Sequence, residues 1–321
     1  MSRAGTVVLD LAERSGLLGL LHGAGAGTAI LMLHRFREPG IEHAGYDPGA
    51  LRVLLEHLRR RRYRILPLAE LVERMMAGEA APSRSVVFTV DDGYHDFATT
   101  GMDVFAAFDC PVTVFVTTGF LDGHAWMWWD QVELIMRHGP GPASDAEIHA
   151  EVERLKRISE ADKRAAIQRL AERREVAVPA AAPGRYAPMS WDDVRRAEQR
   201  GASFGPHTLT HPILSRTSDD QAADEIAGSW RRLCAEVRRP VPVFCYPNGD
   251  APSFGQRELQ LIRAAGLPAA VTTTPGYVRR IDADRDDALR LPRFAMPGTR
   301  TGLAQIVTGF EKVKTMLRGR A

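Results

Sequence analysis

Ser85-Val86-Val87-Phe88-Thr89-Val90-Asp91-Asp92-Gly93 is the stretch that decides the fold class. Valine, phenylalanine and threonine run on without the polar alternation of a half-exposed strand. That pattern predicts a strand buried on both faces, as occurs where crossover helices cover a parallel sheet. Two carboxylates and a glycine turn follow directly, and the ends of such strands are where α/β folds build sites. Adjacent carboxylates repel and are costly unless a cation or hydrogen bonds hold them; a metal would let one be a ligand and the other a base. The structural alternative is a turn with a helix N-cap, which Asp-Asp-Gly also suits.

Similar runs recur at Ala29–Leu33, Val112–Val116, Ala202–Gly205, Val241–Tyr246 and Ala269–Thr273. Between them lie helix-period segments: Pro48–Arg60, Leu68–Met76, Trp191–Arg200, Asp219–Val237 and Gly255–Ala265. This alternation predicts an α/β fold with a parallel sheet and crossover helices. No repeat of fixed period is present, which excludes a solenoid. Residues 124–188 break the rhythm: Glu151–Val176 reads as one long charged helix and Pro179–Pro188 as a return. We read a helical insertion in a single domain spanning 1–321. It opens with Trp126, Trp128 and Trp129, which either fix it to the body or offer an aromatic platform to a ring-shaped ligand.

Composition narrows the function classes. Forty-two Lys and Arg against 40 Asp and Glu leave a formal charge of +2, so no nucleic-acid partner is expected. The basic block Arg59–Arg62 with Arg64 follows an amphipathic stretch and reads as a solvated helix end. Cys110, Cys234 and Cys245 fit no disulfide framework or metal spacing, which suits a reducing compartment. The apolar stretch Leu17–Leu33 is interrupted by His22 and by Gly23–Gly27, so a short helix to about Leu21, a turn and a strand are expected rather than a signal or anchor. A cytoplasmic location follows as the expectation. Near the C-terminus, Ile306, Phe310, Val313 and Leu317 predict an amphipathic helix over Leu303–Arg318, packing on the body rather than lying on a membrane.

Four further segments carry candidate chemistry. His207-Thr208-Leu209-Thr210-His211 follows a predicted strand, and His-x-x-x-His can place two imidazoles on one side of a helical turn, a spacing that zinc sites use. With a carboxylate from another strand end, the pair would make a three-ligand site with open positions. Phe244-Cys245-Tyr246-Pro247-Asn248-Gly249 runs a strand into a turn that could aim a backbone N–H at an oxyanion, or could be a plain β-turn. His34 ends the first predicted strand, and Arg293 in Leu291-Pro292-Arg293-Phe294 could neutralise an aspartate or sit on the surface.

Taken together, these segments resemble the polysaccharide deacetylases, the NodB-homology carbohydrate esterases. Thr89–Gly93 is similar to the family's first motif and His207–His211 to its second. The resemblance implies a distorted (β/α) barrel and metal-dependent de-N-acetylation of an amino sugar or glycan, with Asp91 as general base and Asp92, His207 and His211 as metal ligands. Zinc is the implied metal, with cobalt or nickel as alternatives. The third motif departs: the family carries an arginine where Cys245 stands and an aromatic residue where Asn248 stands. The oxyanion N–H would fall on Asn248, and we expect Arg293 to tether Asp91 instead. No histidine follows His211, whereas the family supplies its general acid near the C-terminus. A circularly permuted branch, resembling poly-N-acetylglucosamine deacetylases of biofilm systems, carries that histidine before the Asp-Asp motif, and His34 fits it. A lipid-linked or nucleotide-linked amino sugar of exopolysaccharide synthesis is the expected substrate. The rivals are an amidohydrolase acting on a non-sugar amide and a carbohydrate-binding pseudoenzyme.

Overall fold

Six strands form one parallel sheet: β1 (Ala29–Leu33), β2 (Arg64–Ile65), β3 (Ser85–Val90), β4 (Val112–Val116), β5 (Ala202–Pro206) and, later in the chain, β8 (Phe294–Ala295). Their spatial order is β5-β4-β3-β1-β8, with β2 on the first residues of β3. β6 (Val243–Cys245) and β7 (Ala269–Val271) make a second parallel pair. Backbone hydrogen bonds from residues flanking the strands join the two sheets. Val241 N donates to Phe204 O at 2.7 Å on one side, and Leu291 N to Ala270 O at 2.8 Å on the other. The ring so closed is a distorted barrel. This computed structural model describes residues 27–41, 44–82, 84–279 and 286–309. The expected helix to Leu21 and turn at Gly23, and the expected helical positions Phe310, Val313 and Leu317, lie outside them.

All six residues of β3 are buried, which accounts for its unbroken apolar run. The helices are α1 (Pro48–Arg60), α2 (Leu68–Met76), α3 (Met102–Ala107), α4 (Thr118–Leu121), α5 (Trp128–His138), α6 (Asp145–Leu155), α7 (Glu160–Arg173), α8 (Trp191–Gln199), α9 (Asp219–Glu236), α10 (Gln256–Ala264) and α11 (Arg300–Val307). Start signals are explicit in the sequence: Asp47 caps α1 by accepting from Ala50 N at 2.7 Å, with Pro48 in the first turn. Among the described residues no helix is long and apolar enough to cross a membrane.

The insertion differs from expectation. The single helix expected over Glu151–Val176 is two helices, because Ser144 and Glu147 form a capping box that starts α6 early and Ser159 caps α7 through Asp162 N at 3.1 Å. Helix α5, which begins at the tryptophans, completes a separate small core of Trp128, Val132, Ile135, Leu155, Ile167 and Leu170. β2 and β8 escaped the sequence reading because two residues carry no period. α11 packs Leu303 and Ile306 into the main core but stops at Val307, where the Thr308 hydroxyl bonds Ala304 O and Gly309 takes a φ of 79°.

Candidate active site

Asp91 and Asp92 leave the end of β3, His207 the end of β5, and Cys245 ends β6, so parallel pairing brings the carboxyl ends of separate strands to one point. Arg293, just before β8, reaches the same point and is fully buried. Its Nη1 and Nη2 donate to the two oxygens of Asp91 at 2.7 Å each. The remaining donors go to Thr89 Oγ1 at 3.1 Å, Thr272 O at 2.9 Å and Cys245 Sγ at 3.2 Å. A buried guanidinium is tolerable only when every N–H is met, and here all are. Burial pushes the Asp91 carboxyl up, but the guanidinium outweighs it and holds Asp91 below the usual carboxylate range. Burial likewise keeps Cys245 a thiol.

Beside this pair, Asp92, His207 and His211 are all buried, with each histidine Nε2 at 3.5 Å from Asp92 Oδ1. Two ligand atoms at about 2.1 Å from one tetrahedral ion lie about 3.4 Å apart, so the spacing suits a shared divalent cation. The tautomers suit it as well. His207 Nδ1 lies 2.8 Å from Cys245 O, and donation to that carbonyl would leave Nε2 as the ligand atom. Although burial opposes it, Cys245 and the Asp92 carboxylate raise this imidazole well above its usual range, so a bound cation would take the place of the Nε2 proton. Burial, with His207 adjacent, drives His211 down to about 3, leaving it neutral, and its buried Nδ1 meets no partner among the described residues. The donor set therefore fits a metal. Asp91, His207 and Cys245 also converge within ligand distance, yet both oxygens of Asp91 are committed to Arg293, whose charge opposes a second cation.

The two histidines do not share a helical turn. Residues 207–211 form a loop in which Thr208 and His211 take φ values of 66° and 58°. Side chains from elsewhere hold this shape. Glu225 of α9, buried, accepts from Leu209 N at 2.8 Å, Thr210 N at 2.9 Å and the Thr210 hydroxyl at 2.5 Å. Glu160 of α7 accepts from Ile213 N at 2.9 Å and pairs with buried Lys163 at 2.6 Å, whose ammonium covers Trp128 at 4.3 Å. Gly119 lies so close beneath the loop that a Cβ there would meet Leu209 O at 2.5 Å. The sequence offers no signal for Glu225, one acid among many on a helix. Glu225→Ala is expected to weaken metal affinity about 10- to 100-fold. Glu225→Gln, which keeps an acceptor and can donate to the Thr210 hydroxyl, should retain most of it. Competition against a chelator reads both, and equal affinity in Glu225→Ala would assign Glu225 to stability alone.

His34 follows β1 with its side chain 46% exposed and Nε2 at 3.9 Å from Asp91 Oδ2. Asn248 stands in the turn after β6 with a φ of 61°, and its N–H meets no acceptor among the described residues. Both line a cavity of about 890 Å³ with Asp91, Asp92, His207 and His211 at its base. The insertion supplies much of the wall, including Trp129, Asp130, Glu133 and Tyr186. The tryptophans divide their work. Trp126 packs on Tyr186 at 6.0 Å, Trp128 belongs to the insertion core and also borders the cavity, and Trp129 faces the cavity with its ring 4.6 Å from that of His211. The Tyr94 hydroxyl donates to Asp130 Oδ2 at 2.6 Å, and burial nonetheless pushes Asp130 up to about 7.

Fold and cluster define a parallel α/β barrel with a buried, metal-competent site at its strand ends. A family model described as polysaccharide deacetylase matches residues 78–270, and the chain belongs to that family. The match spans the insertion as well as both aspartates and both histidines; His34 and Arg293 fall outside it. No curated protein matches in sequence. Among solved structures, the fold is similar to the Streptococcus pyogenes deacetylase PplD in complex with acetate, at 19% identity and a TM-score of 0.60, covering 88% of this chain and 97% of that one. It is also similar to IcaB from Ammonifex degensii, at 15% identity and a TM-score of 0.59, covering 88% and 98%. The deacetylase domain of BpsB from Bordetella bronchiseptica aligns at 15% identity and a TM-score of 0.53, covering 85% and 98%.

Proposed function

We propose that the protein is a metal-dependent hydrolase that removes the N-acetyl group from an amino sugar of a glycan or glycan precursor. The observation that carries this reading is the pairing of two carboxylates with different environments, Asp91 held by Arg293 and Asp92 facing two imidazole Nε2 atoms. Asp92, His207 and His211 would hold the metal, with zinc first and cobalt or nickel as alternatives, and when bound it would polarise the amide carbonyl and acidify water. Asp91, kept ionised by Arg293, takes the proton from the attacking water. The N–H of Asn248 donates to the oxygen that becomes negative, a backbone contribution of about 3 kcal/mol in comparable sites. His34 gives a proton to the departing amine, which is a poor leaving group without it. Against a pseudoenzyme stands the fully bonded Asp91–Arg293 pair, a buried arrangement costly to keep without use.

The test is elemental analysis of protein purified without chelator, beside Asp92→Ala and His207→Ala. We expect about one equivalent of transition metal in the parent protein, lost in both variants, and acetate release from N-acetylated glucosamine oligomers that parallels metal content. A parent protein that takes up no metal on reconstitution with zinc, cobalt or nickel would sink the hydrolase reading.

A further inference from the structure

The cavity wall contains a carboxylate that this chemistry does not use. Asp130 sits in the first turn of α5, is only 4% exposed, and lines the cavity. The only side-chain donor it meets among the described residues is the neutral Tyr94 hydroxyl on Oδ2, and Oδ1 receives no hydrogen bond there. A carboxylate accepts several hydrogen bonds, so with one neutral donor on Oδ2 the acceptor capacity of Oδ1 is left to whatever occupies the cavity. Buried aspartates elsewhere in the molecule do better: Asp91 takes a bidentate guanidinium, and Asp96 takes Arg35 Nε on Oδ2 and Phe36 N on Oδ1. Asp130 is moreover held in place. The Tyr94 ring that orients it is covered by the Arg35 guanidinium at 3.8 Å and stacks edge-on to Phe120 at 5.4 Å. Next to Asp130 in the chain, Trp129 turns to the same cavity against His211. An acceptor lacking donors and an aromatic ring, side by side at the reaction centre, match a pyranose, which offers hydroxyls at its rim and C–H groups on its face.

We propose that Asp130 is a specificity-determining residue that accepts a hydrogen bond from a ring hydroxyl of the amino sugar, with Trp129 along the sugar face and Tyr94 positioning the carboxylate. The inference rests on the deacetylase reading and separates a sugar from a non-sugar amide. A site built around a buried acceptor discriminates strongly against ligands lacking the matching donor, because the acceptor is then left unpaired.

The experiment uses the metal-loaded full chain and linear N-acetylglucosamine trisaccharides, together with analogues from which one ring hydroxyl at a time has been removed. Asp130→Ala is expected to raise KM about tenfold or more, with kcat changing less, and to weaken trisaccharide binding to the metal-free protein by a similar factor. The isosteric Asp130→Asn guards against a folding defect and, because its amide keeps one acceptor oxygen, should raise KM less than Asp130→Ala does; Tyr94→Phe, which frees the side chain, should also raise it by a smaller factor. One deoxy analogue should lose affinity for the parent protein and lose no more in Asp130→Ala, the signature of a shared contact. An unchanged KM and binding affinity, a loss confined to kcat, or losses that multiply for every analogue would overturn the proposal. The two readings fail separately. Acetate release with no dependence on Asp130 removes this inference and keeps the deacetylase; Asp130-dependent binding without acetate release does the reverse.

Discussion

Arg293→Met is expected to lower folding stability by about 3–5 kcal/mol and kcat by at least about 100-fold. Both effects come from one cause. The guanidinium is fully buried and bonds both oxygens of Asp91 at 2.7 Å. Methionine fills a similar volume but leaves Asp91 out of water with no counter-charge, and the carboxyl then takes up a proton. A protonated Asp91 cannot accept one from water, so the base is lost together with the stability. The pH dependence follows by linkage. In the parent protein Asp91 lies below the usual carboxylate range, so its stabilisation is present at neutral pH and lost as pH falls through the folded-state value. In the variant, burial is expected to outweigh the remaining pull of His34 and His207 and to raise the folded-state value above the unfolded one. Its stability therefore declines as pH rises through that window. The gap between the two proteins should be widest near neutrality and narrow toward about pH 4. Urea denaturation of the metal-free proteins at several pH values measures this, and a gap independent of pH would contradict the assignment. Arg293→Lys should recover only part of the loss, since an ammonium cannot bond both oxygens in the same plane.

This pair also marks the limit of what the sequence discloses. Asp91-Asp92 and His207–His211 are legible because each is a short run at the end of an apolar strand, where local pattern and chemistry coincide. Arg293 is 202 positions from Asp91, and only closure of the barrel through β8 sets them together. Its own segment offers only a cation closing an apolar run, which reads equally as a surface charge; the missing arginine at Cys245 is what points to it as the tether. In the structure the small thiol at Cys245 accepts from Nη2 where a larger side chain would compete for the same space. Glu225 and Asp130 left no trace because a single acid on a helix reads as solvated surface until tertiary packing buries it. The helix break before α7 was, by contrast, written in Ser159 and Asp162, a cap signal outweighed by the charge pattern around it. The histidine spacing allows a helical turn, and the loop found instead turns on the left-handed residues Thr208 and His211, which spacing alone does not register.

His34→Asn is expected to lower kcat on an N-acetylated sugar by about 100- to 10,000-fold while leaving metal content and melting temperature close to those of the parent protein. The separation follows from position. The His34 side chain is 46% exposed and borders the cavity without belonging to the Asp92 cluster, so its removal uncovers no core and takes no ligand. Nε2 lies 3.9 Å from Asp91 Oδ2, on the carboxylate that receives the proton from water. A group at that distance is placed to pass a proton to the amine as the C–N bond breaks. The role can be isolated by changing the leaving group. An aliphatic amine departs only when protonated, whereas 4-nitrophenolate from 4-nitrophenyl acetate departs without help. The deficit of His34→Asn should therefore shrink sharply on the activated ester, while that of Arg293→Met, which removes the base, persists on both substrates. Equal deficits for His34→Asn on amide and ester would mean that His34 binds substrate or shapes Asp91 and that the proton for the amine comes from another group in the cavity.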